Sequence, residues 1–443
     1  MKKNFATFAV ITRWAVIGIT GVLPTGCQSR ATQPTERSNP DLHPAFTVAG
    51  PHFELCAQGL PESGNWKCDP LLADLDGDGN LDVVALARLG DGPHVWLGDG
   101  KCGWRDASDG LALGRASCGG GLCLADVNLD GRVELVVADH CQGLFVYARN
   151  DAGRWTAEAH DFSTPLEVPD LNDPVGVGFE TVVVGDVNGD GLPDLVAGSS
   201  GESGICVFHG DGSGRTWTRA ESALPQMELV NRIRLLDVNG DGQLDLLATC
   251  AAGPRVWLGD GKGNWRPASQ GLPNPTIHGL YQGLTVGDVN EDDRLDLCVA
   301  NWIDGVEIYL QQSDMSWRKS PDAFPQLLGG AYSVVLNDID GDRHLDLIVS
   351  GRLNREQVGH VYGVFVLRGN GKGNWVYLPE SKLPQTGLGF TWGVVVGGVK
   401  HDEPSYLAAG SGGIVAFSEA AKEPVLSSRL LVWRVTHTAT STN

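Results

Sequence analysis

The sequence predicts an all-β fold, a seven-bladed β-propeller of four-stranded antiparallel blades. Three observations carry that prediction. An acidic ten-residue knot recurs six times along the 443-residue chain. Apolar, β-branched runs flank each knot on both sides. A turn sequence and then a Trp follow each of the six knots. Four short strands in meander order, repeated at a period near 50 residues, read as a propeller blade.

The knots begin at Asp74 ("DLDGDGNLDV"), Asp126 ("DVNLDGRVEL"), Asp186 ("DVNGDGLPDL"), Asp237 ("DVNGDGQLDL"), Asp288 ("DVNEDDRLDL") and Asp338 ("DIDGDRHLDL"). Their spacings are 52, 60, 51, 51 and 50 residues, and 60 more lead to "GVKHDEPSYL" at Gly398. There the flanking runs survive and most acids are gone, which makes a seventh unit. The run before a knot ("TVVVG", "YSVVL") is the first strand, and the run after it ("LVAGS", "LIVSG") is the second. A third run such as "RVWLGDGKGNW" ends in a tight hairpin turn. The fourth run opens on Trp104, Trp155, Trp217, Trp265, Trp317 or Trp375, and one Trp per unit reads as packing.

Ring closure is legible at the N-terminal side. "FELCAQGLP" (Phe53–Pro61) matches "WRPASQGLP" (Trp265–Pro273) position for position. Phe53–Gln58 is therefore expected to supply the outer strand of the seventh blade and remove its open edge. "RLLVWRV" near the C-terminus competes for that role. "WGVVV", "YLAAG" and "GIVAF" are the other runs of the last unit. The expected organisation is a signal segment over 1–27, a tether over 28–50, the propeller over 51–420 and a tail over 421–443.

The formal net charge is -21, spread along the chain rather than gathered in one tail. Such a surface disfavours nucleic acid and anionic membranes and favours cations. "MKK" followed by the short apolar stretch Ala15–Leu23 reads as an export signal too short to span a bilayer. It ends in "LPTGC", which resembles a bacterial lipobox with Cys27 as the lipidated residue, although Pro24 stands where an apolar residue is usual. Plain secretion and a retained anchor are the alternatives. The Ser-, Thr-, Pro- and Gln-rich segment 28–50 suits a tether. Of the other nine cysteines, Cys206, Cys250 and Cys298 sit in strand runs as small apolar residues. Cys56, Cys68, Cys102, Cys118, Cys123 and Cys141 crowd the first third, where a bridge such as Cys118–Cys141 is open to an exported chain. A CxxC pair is absent, which argues against zinc.

The carboxylates of one knot repel one another unless a cation neutralises them. Oxygen ligands at positions 1, 3, 5, 7 and 9, with a backbone carbonyl serving at 7, are the spacing of a calcium loop. The six sets are Asp74, Asp76, Asp78, Asn80 and Asp82; Asp126, Asn128, Asp130, Arg132 and Glu134; Asp186, Asn188, Asp190, Leu192 and Asp194; Asp237, Asn239, Asp241, Gln243 and Asp245; Asp288, Asn290, Asp292, Arg294 and Asp296; and Asp338, Asp340, Asp342, His344 and Asp346. The carbonyl role explains why position 7 accepts any side chain. Solvated acidic turns are the plainer reading, but turns do not require the fixed acid at 9. Magnesium competes poorly, since it demands a tight octahedron. Up to six Ca2+ are expected, one in each of blades 1–6. Position 6 calls for positive φ, so Asp293 and especially Arg343 predict weaker sites, the Asp338 site weakest.

The repeated D-x-[DN]-x-D-G-x-x-[DE]-[LV] knot with its flanking runs resembles the FG-GAP/VCBS repeat family, of which the integrin α-subunit propeller is the best-known relative. The resemblance covers about residues 51–420. It implies a seven-bladed propeller with calcium in the loops joining first and second strands, and none in the seventh unit. It says little about activity, since the family includes adhesion proteins, lectins and polysaccharide lyases.

No G-x-S-x-G or H-E-x-x-H motif is present. Paired acids for glycoside hydrolysis are not visible as such in sequence. The face opposite the knots is expected to carry the blade links and the loops between second and third strands. Trp66, His278, Tyr281 and Trp392 fall in the links; Asp139, His140, Asn301, Trp302, Arg352 and Arg355 fall in those loops. Aromatics beside polar groups stack on sugars or anchor proteins, though each is equally able to pack between blades. The leading expectation is a non-enzymatic, calcium-stabilised, exported surface propeller that binds a glycan or an extracellular protein. A carbohydrate-active enzyme such as a calcium-dependent lyase, and a structural scaffold, are the alternatives. No nucleic acid is expected as a partner, and a membrane only through a lipid anchor.

Overall fold

The structure is a computed structural model that describes residues 51–436, apart from 91, 114–115, 159–160, 163–177, 202, 222–223, 226–228, 275–280, 322–327, 356–358, 379–382, 384–389, 399–404 and 413–428. Cys27, the 28–50 segment, His278 and the "GIVAF" run lie outside the described residues.

The described residues form seven antiparallel blades. Blade 1 is β2 (Leu71–Ala73), β3 (Asp82–Leu86), β4 (Pro93–Gly98) and β5 (Trp104–Asp106). Blade 2 is β6 (Gly120–Ala125), β7 (Glu134–Asp139), β8 (Gly143–Arg149) and β9 (Trp155–Ala157). Blade 3 is β11 (Phe179–Gly185), β12 (Asp194–Ser199), β13 (Ile205–Gly210) and β14 (Thr216–Arg219), with the short β10 (Asp161–Phe162) added parallel to β14. That addition lies in the longer interval between the second and third knots. Blade 4 is β15 (Val230–Leu236), β16 (Asp245–Cys250), β17 (Gly253–Gly259) and β18 (Trp265–Pro267). Blade 5 is β19 (Tyr281–Gly287), β20 (Asp296–Asn301), β21 (Gly305–Gln311) and β22 (Trp317–Lys319). Blade 6 is β23 (Leu328–Asn337), β24 (Asp346–Arg355), β25 (Gly359–Gly369) and β26 (Trp375–Tyr377). First strands of blades 2 to 7 are neighbours in succession around the axis, and β2 of blade 1 adjoins β27 of blade 7. In blades 1–5 the second strands are buried at every position, because adjacent blades cover both faces.

Blade 7 is β27 (Phe390–Gly397), β28 (Ser405–Gly412), β29 (Leu430–Thr436) and β1 (His52–Leu55). The N-terminal strand is the outer one, as its repeat match predicts, with Phe53 opposite Val435. "RLLVWRV" is not a competitor for that place and not part of a tail. It is the third strand, paired with β28 on one side and β1 on the other. Its alternating apolar residues, Leu431, Trp433 and Val435, pack against blade 6, and that burial draws it into the sheet.

A repeated contact locks one blade to the next. The indole N–H groups of Trp104, Trp155 and Trp317 donate to the carbonyls of Cys56, Ala107 and Ala268, each in the exit segment of the preceding blade, at 3.0, 3.1 and 2.9 Å. The backbone N–H of the same three residues donates to Gln58, Asp109 and Gln270. The exit turn can approach this closely only because a glycine follows. A Cβ on Gly59, Gly110 or Gly271 would lie 1.9 Å from the Trp carbonyl oxygen, and these glycines sit at φ 91°, 94° and 90°. Disulfides join Cys56 to Cys102 and Cys118 to Cys141, the first of them tying the strand exit of blade 7 to blade 1. Cys68, Cys206, Cys250 and Cys298 are buried free thiols. Replacing Gly271 with Ala combines a positive-φ penalty with a backbone clash. It is expected to cost more than about 2 kcal/mol, read as a lower denaturant midpoint at unchanged m-value.

Candidate functional site: six acidic clasps and an axial mouth

Each knot folds as a clasp between first and second strands. In the fourth, Asp237 accepts backbone N–H bonds from Gly240 (2.7 Å, Oδ1) and Gly242 (2.7 Å, Oδ2). Asn239 Oδ1 accepts from Asp241 N–H at 2.8 Å, and Asp241 Oδ1 from Gln243 N–H at 2.8 Å. These bonds curl the acids onto one centre. In the first clasp, carboxylate oxygens of Asp74, Asp76 and Asp78 lie within 4.8 Å of one another. An all-oxygen donor set so grouped fits a hard divalent cation.

The acid at position 9 has a second task. Asp82, Glu134, Asp194, Asp245, Asp296 and Asp346 are all buried. Asp245 Oδ2 accepts the N–H of Val238 and Oδ1 that of Gly259, both at 2.9 Å. It therefore ties the clasp to the third strand. Asp82, Asp194, Asp296 and Asp346 repeat the arrangement, and Glu134 keeps the first bond, to Val127. Burial raises these acids, Asp82 and Asp296 to about 6, Glu134 to about 7 and Asp346 to about 8. Asp194 and Asp245 are raised for the same reason.

Position 4 matters as much as position 6, which the sequence reading missed. Its φ is positive in every clasp: 78°, 76°, 79° and 80° at Gly77, Gly189, Gly240 and Gly341, and 61° and 56° at Leu129 and Glu291. Gly at position 4 in four of six knots was the available signal. Position 6 is positive too, including Asp293 at 66° and Arg343 at 74°. The third strand also reaches two clasps. His209 Nδ1 lies 2.8 Å from Asn188 Nδ2 and 3.2 Å from Asp194 Oδ1. Arg368 pairs with Asp340 at position 3 of the sixth clasp.

At the opposite end of the axis the link into blade 1 crosses the ring. Lys67 Nζ meets Glu180 Oε1 of blade 3 at 2.7 Å, and His140 Nδ1 meets Glu180 Oε2 at 2.5 Å. Asp69 takes a bond from Arg232 Nε of blade 4 at 2.7 Å and one from Ser333 Oγ of blade 6 at 2.9 Å. Burial opposes ionisation of both acids, but Arg232 outweighs it at Asp69, and the Lys67 charge with the bond to His140 outweighs it at Glu180, so both stay below the usual carboxylate range. Above this layer stand Trp302, Tyr332 and Trp392. Their edge-to-face ring centroids are 4.4 and 5.7 Å apart, and Lys67 Nζ is 6.0 Å from the Trp392 ring. Arg352 closes the side by donating to the Gly329 carbonyl at 3.1 Å.

The mouth gathers His140, Trp302, Arg352 and Trp392 from the expected ligand-face residues. Lys67, Glu180 and Tyr332 join them, and sequence reading did not single these out. Three expected members are buried inside blades instead. Trp66 is 4% exposed and packs edge-on against His94 and Trp96. Tyr281 and Asn301 both bond Glu307 in a buried network, at 3.2 and 3.1 Å. Asp139 is buried too, holding the Ser117 hydroxyl and the turn amides of Cys118 and Cys141. Arg352 and Arg355 lie within β24 rather than in a loop, because blade 6 extends its second and third strands. A depressed folded-state pKa stabilises above the unfolded value, roughly pH 4.3 for Glu, and that gain is lost as pH falls. Glu180→Gln is therefore expected to cost about 3 kcal/mol at neutral pH, with the gap to wild type closing as acid is added. Denaturant titrations from neutral to acid pH check this, and a pH-independent gap would contradict it.

The FG-GAP-like repeat model matches residues 74–137, 126–197, 186–248, 237–299 and 288–349. No curated protein matches the sequence. Among solved structures, BBS1N in complex with ARL6DN superposes with a TM-score of 0.51 at 15% identity, covering 89% of this chain and 98% of that one. An Agrocybe aegerita lectin, described as recognising non-reducing terminal N-acetylglucosamine, superposes with a TM-score of 0.45 at 18% identity, over 73% and 84%. Such likenesses concern the fold. By its five overlapping repeat matches, the chain belongs to the FG-GAP-like repeat family.

Proposed function

We propose that this protein is a non-enzymatic binding propeller, stabilised by calcium in its clasps, whose ligand rests on the axial mouth opposite them. The observation that carries the reading is the mouth itself. Half-buried Trp302 and Trp392 flank Tyr332, Lys67 lies over Trp392 and shares Glu180 with His140, and Arg352 holds the neighbouring Gly329 carbonyl. The recess below them is only about 20 Å³, room for a water rather than a sugar ring. A ligand therefore lies across the mouth and stacks on its aromatics. A glycan suits this mixture of ring faces and charged donors. A protein partner is the other outcome of the test. Binding rather than turnover is favoured because Glu180 is already held by Lys67 and His140. The start of the chain adds the proposal of export and lipid anchoring at Cys27, and Cys27→Ser should release the protein from the membrane fraction.

A glycan array with product analysis tests the mouth. Retention of a glycan without cleavage, weakened at least about tenfold by Trp302→Ala, supports the reading, and shortened or unsaturated products contradict it. Calcium is tested separately. Chelation is expected to lower the melting temperature, and each site saturated at about 100 times its Kd contributes about 2.7 kcal/mol. Equal melting curves with and without chelator would end the calcium proposal.

A further inference from the structure

We infer that the sixth clasp takes no calcium, because Arg368 already serves as its cation. The inference rests on the proposal that the other clasps bind calcium. Arg368 comes from the third strand and is 4% exposed, and its partner Asp340, at position 3, is 2% exposed. A guanidinium this buried needs an anion beside it. Asp340 is that anion, so it is not free to ligate a metal. Calcium beside Arg368 would set two cations against each other, and expelling Arg368 would leave a buried unpaired charge.

The substitution is peculiar to this blade. Arg368 precedes the residue that pairs with the unit Trp. The same place holds Leu97, Ala148, His209, Leu258 and Leu310 in blades 1–5. None of these is a permanent cation. Oxygens of Asp338, Asp340 and Asp346 still lie within 4.8 Å of one another, a crowding that Arg368 compensates. Arg343, with φ 74° in the turn, adds a second positive charge where four other clasps have glycine. The seventh unit lacks most of the acids. Blade 6 and blade 7, the latter carrying the ring closure, are then the calcium-independent part of the propeller.

Ion counting decides. Chelated protein is dialysed against excess Ca2+ and bound calcium is measured by atomic emission. Wild type is expected to hold five ions, and Arg368→Leu, which installs the residue of blades 1, 4 and 5, six. Leu310→Arg places the same cation over the fifth clasp and is expected to hold four. This second variant keeps the test decisive if Arg368→Leu does not fold. Six ions on wild type, or an unchanged count in the variants, overturns the inference alone. No bound calcium on any form overturns the calcium proposal beneath it.

Discussion

The buried acid at position 9 is the constraint on which each of the first six blades depends. It faces a conflict, since burial disfavours its charge while the clasp amides and the third strand need it as an acceptor. In five blades its two oxygens join the clasp to the third strand, and so hold three of the four strands in register. Apart from the buried Asp340, the remaining acids of the clasps sit nearer solvent. Their mutual repulsion adds to the conflict, and the cation proposed for these clasps would relieve both.

Contacts between blades divide the work. On the outside, Trp indoles reach the preceding exit carbonyl, a short-range lock that needs glycine next to it. At the axis, Lys67 and Asp69 bind partners on blades 3, 4 and 6. One short link thus gathers distant blades across the ring. Such ion pairs are costly to desolvate and contribute less to net stability than to specifying the arrangement of blades. The same link carries the charges that border the aromatic mouth, so ring assembly and the candidate site share residues.

Local pattern made most of the fold legible. The knots, the alternating runs and the repeat match of Phe53–Pro61 placed the strands and the outer strand of blade 7. "RLLVWRV" carries a weak repeat signature, so sequence pattern alone does not fix its place. Its pairing between β28 and β1, with Leu431, Trp433 and Val435 buried against blade 6, makes it the third strand. The candidate site was half legible. Trp302 and Trp392 stood out as aromatics in links and loops, whereas Trp66 and Tyr281 share that description and are buried. Exposure depends on which neighbour covers a residue, and the neighbour is set by the ring.

The sequence by itself determined the repeat, the all-β architecture and the acidic clasp chemistry, because strand alternation, turn geometry and ligand spacing are short-range properties of the chain. Only the tertiary structure decided what meets across the repeats. Arg232 and Asp69 are 163 residues apart and Ser333 and Asp69 are 264 apart, and nothing local marks them as partners. Arg368 likewise gives no sign in sequence that it faces Asp340. Long-range pairings follow from closing seven blades around one axis, and closure is a property of the whole ring.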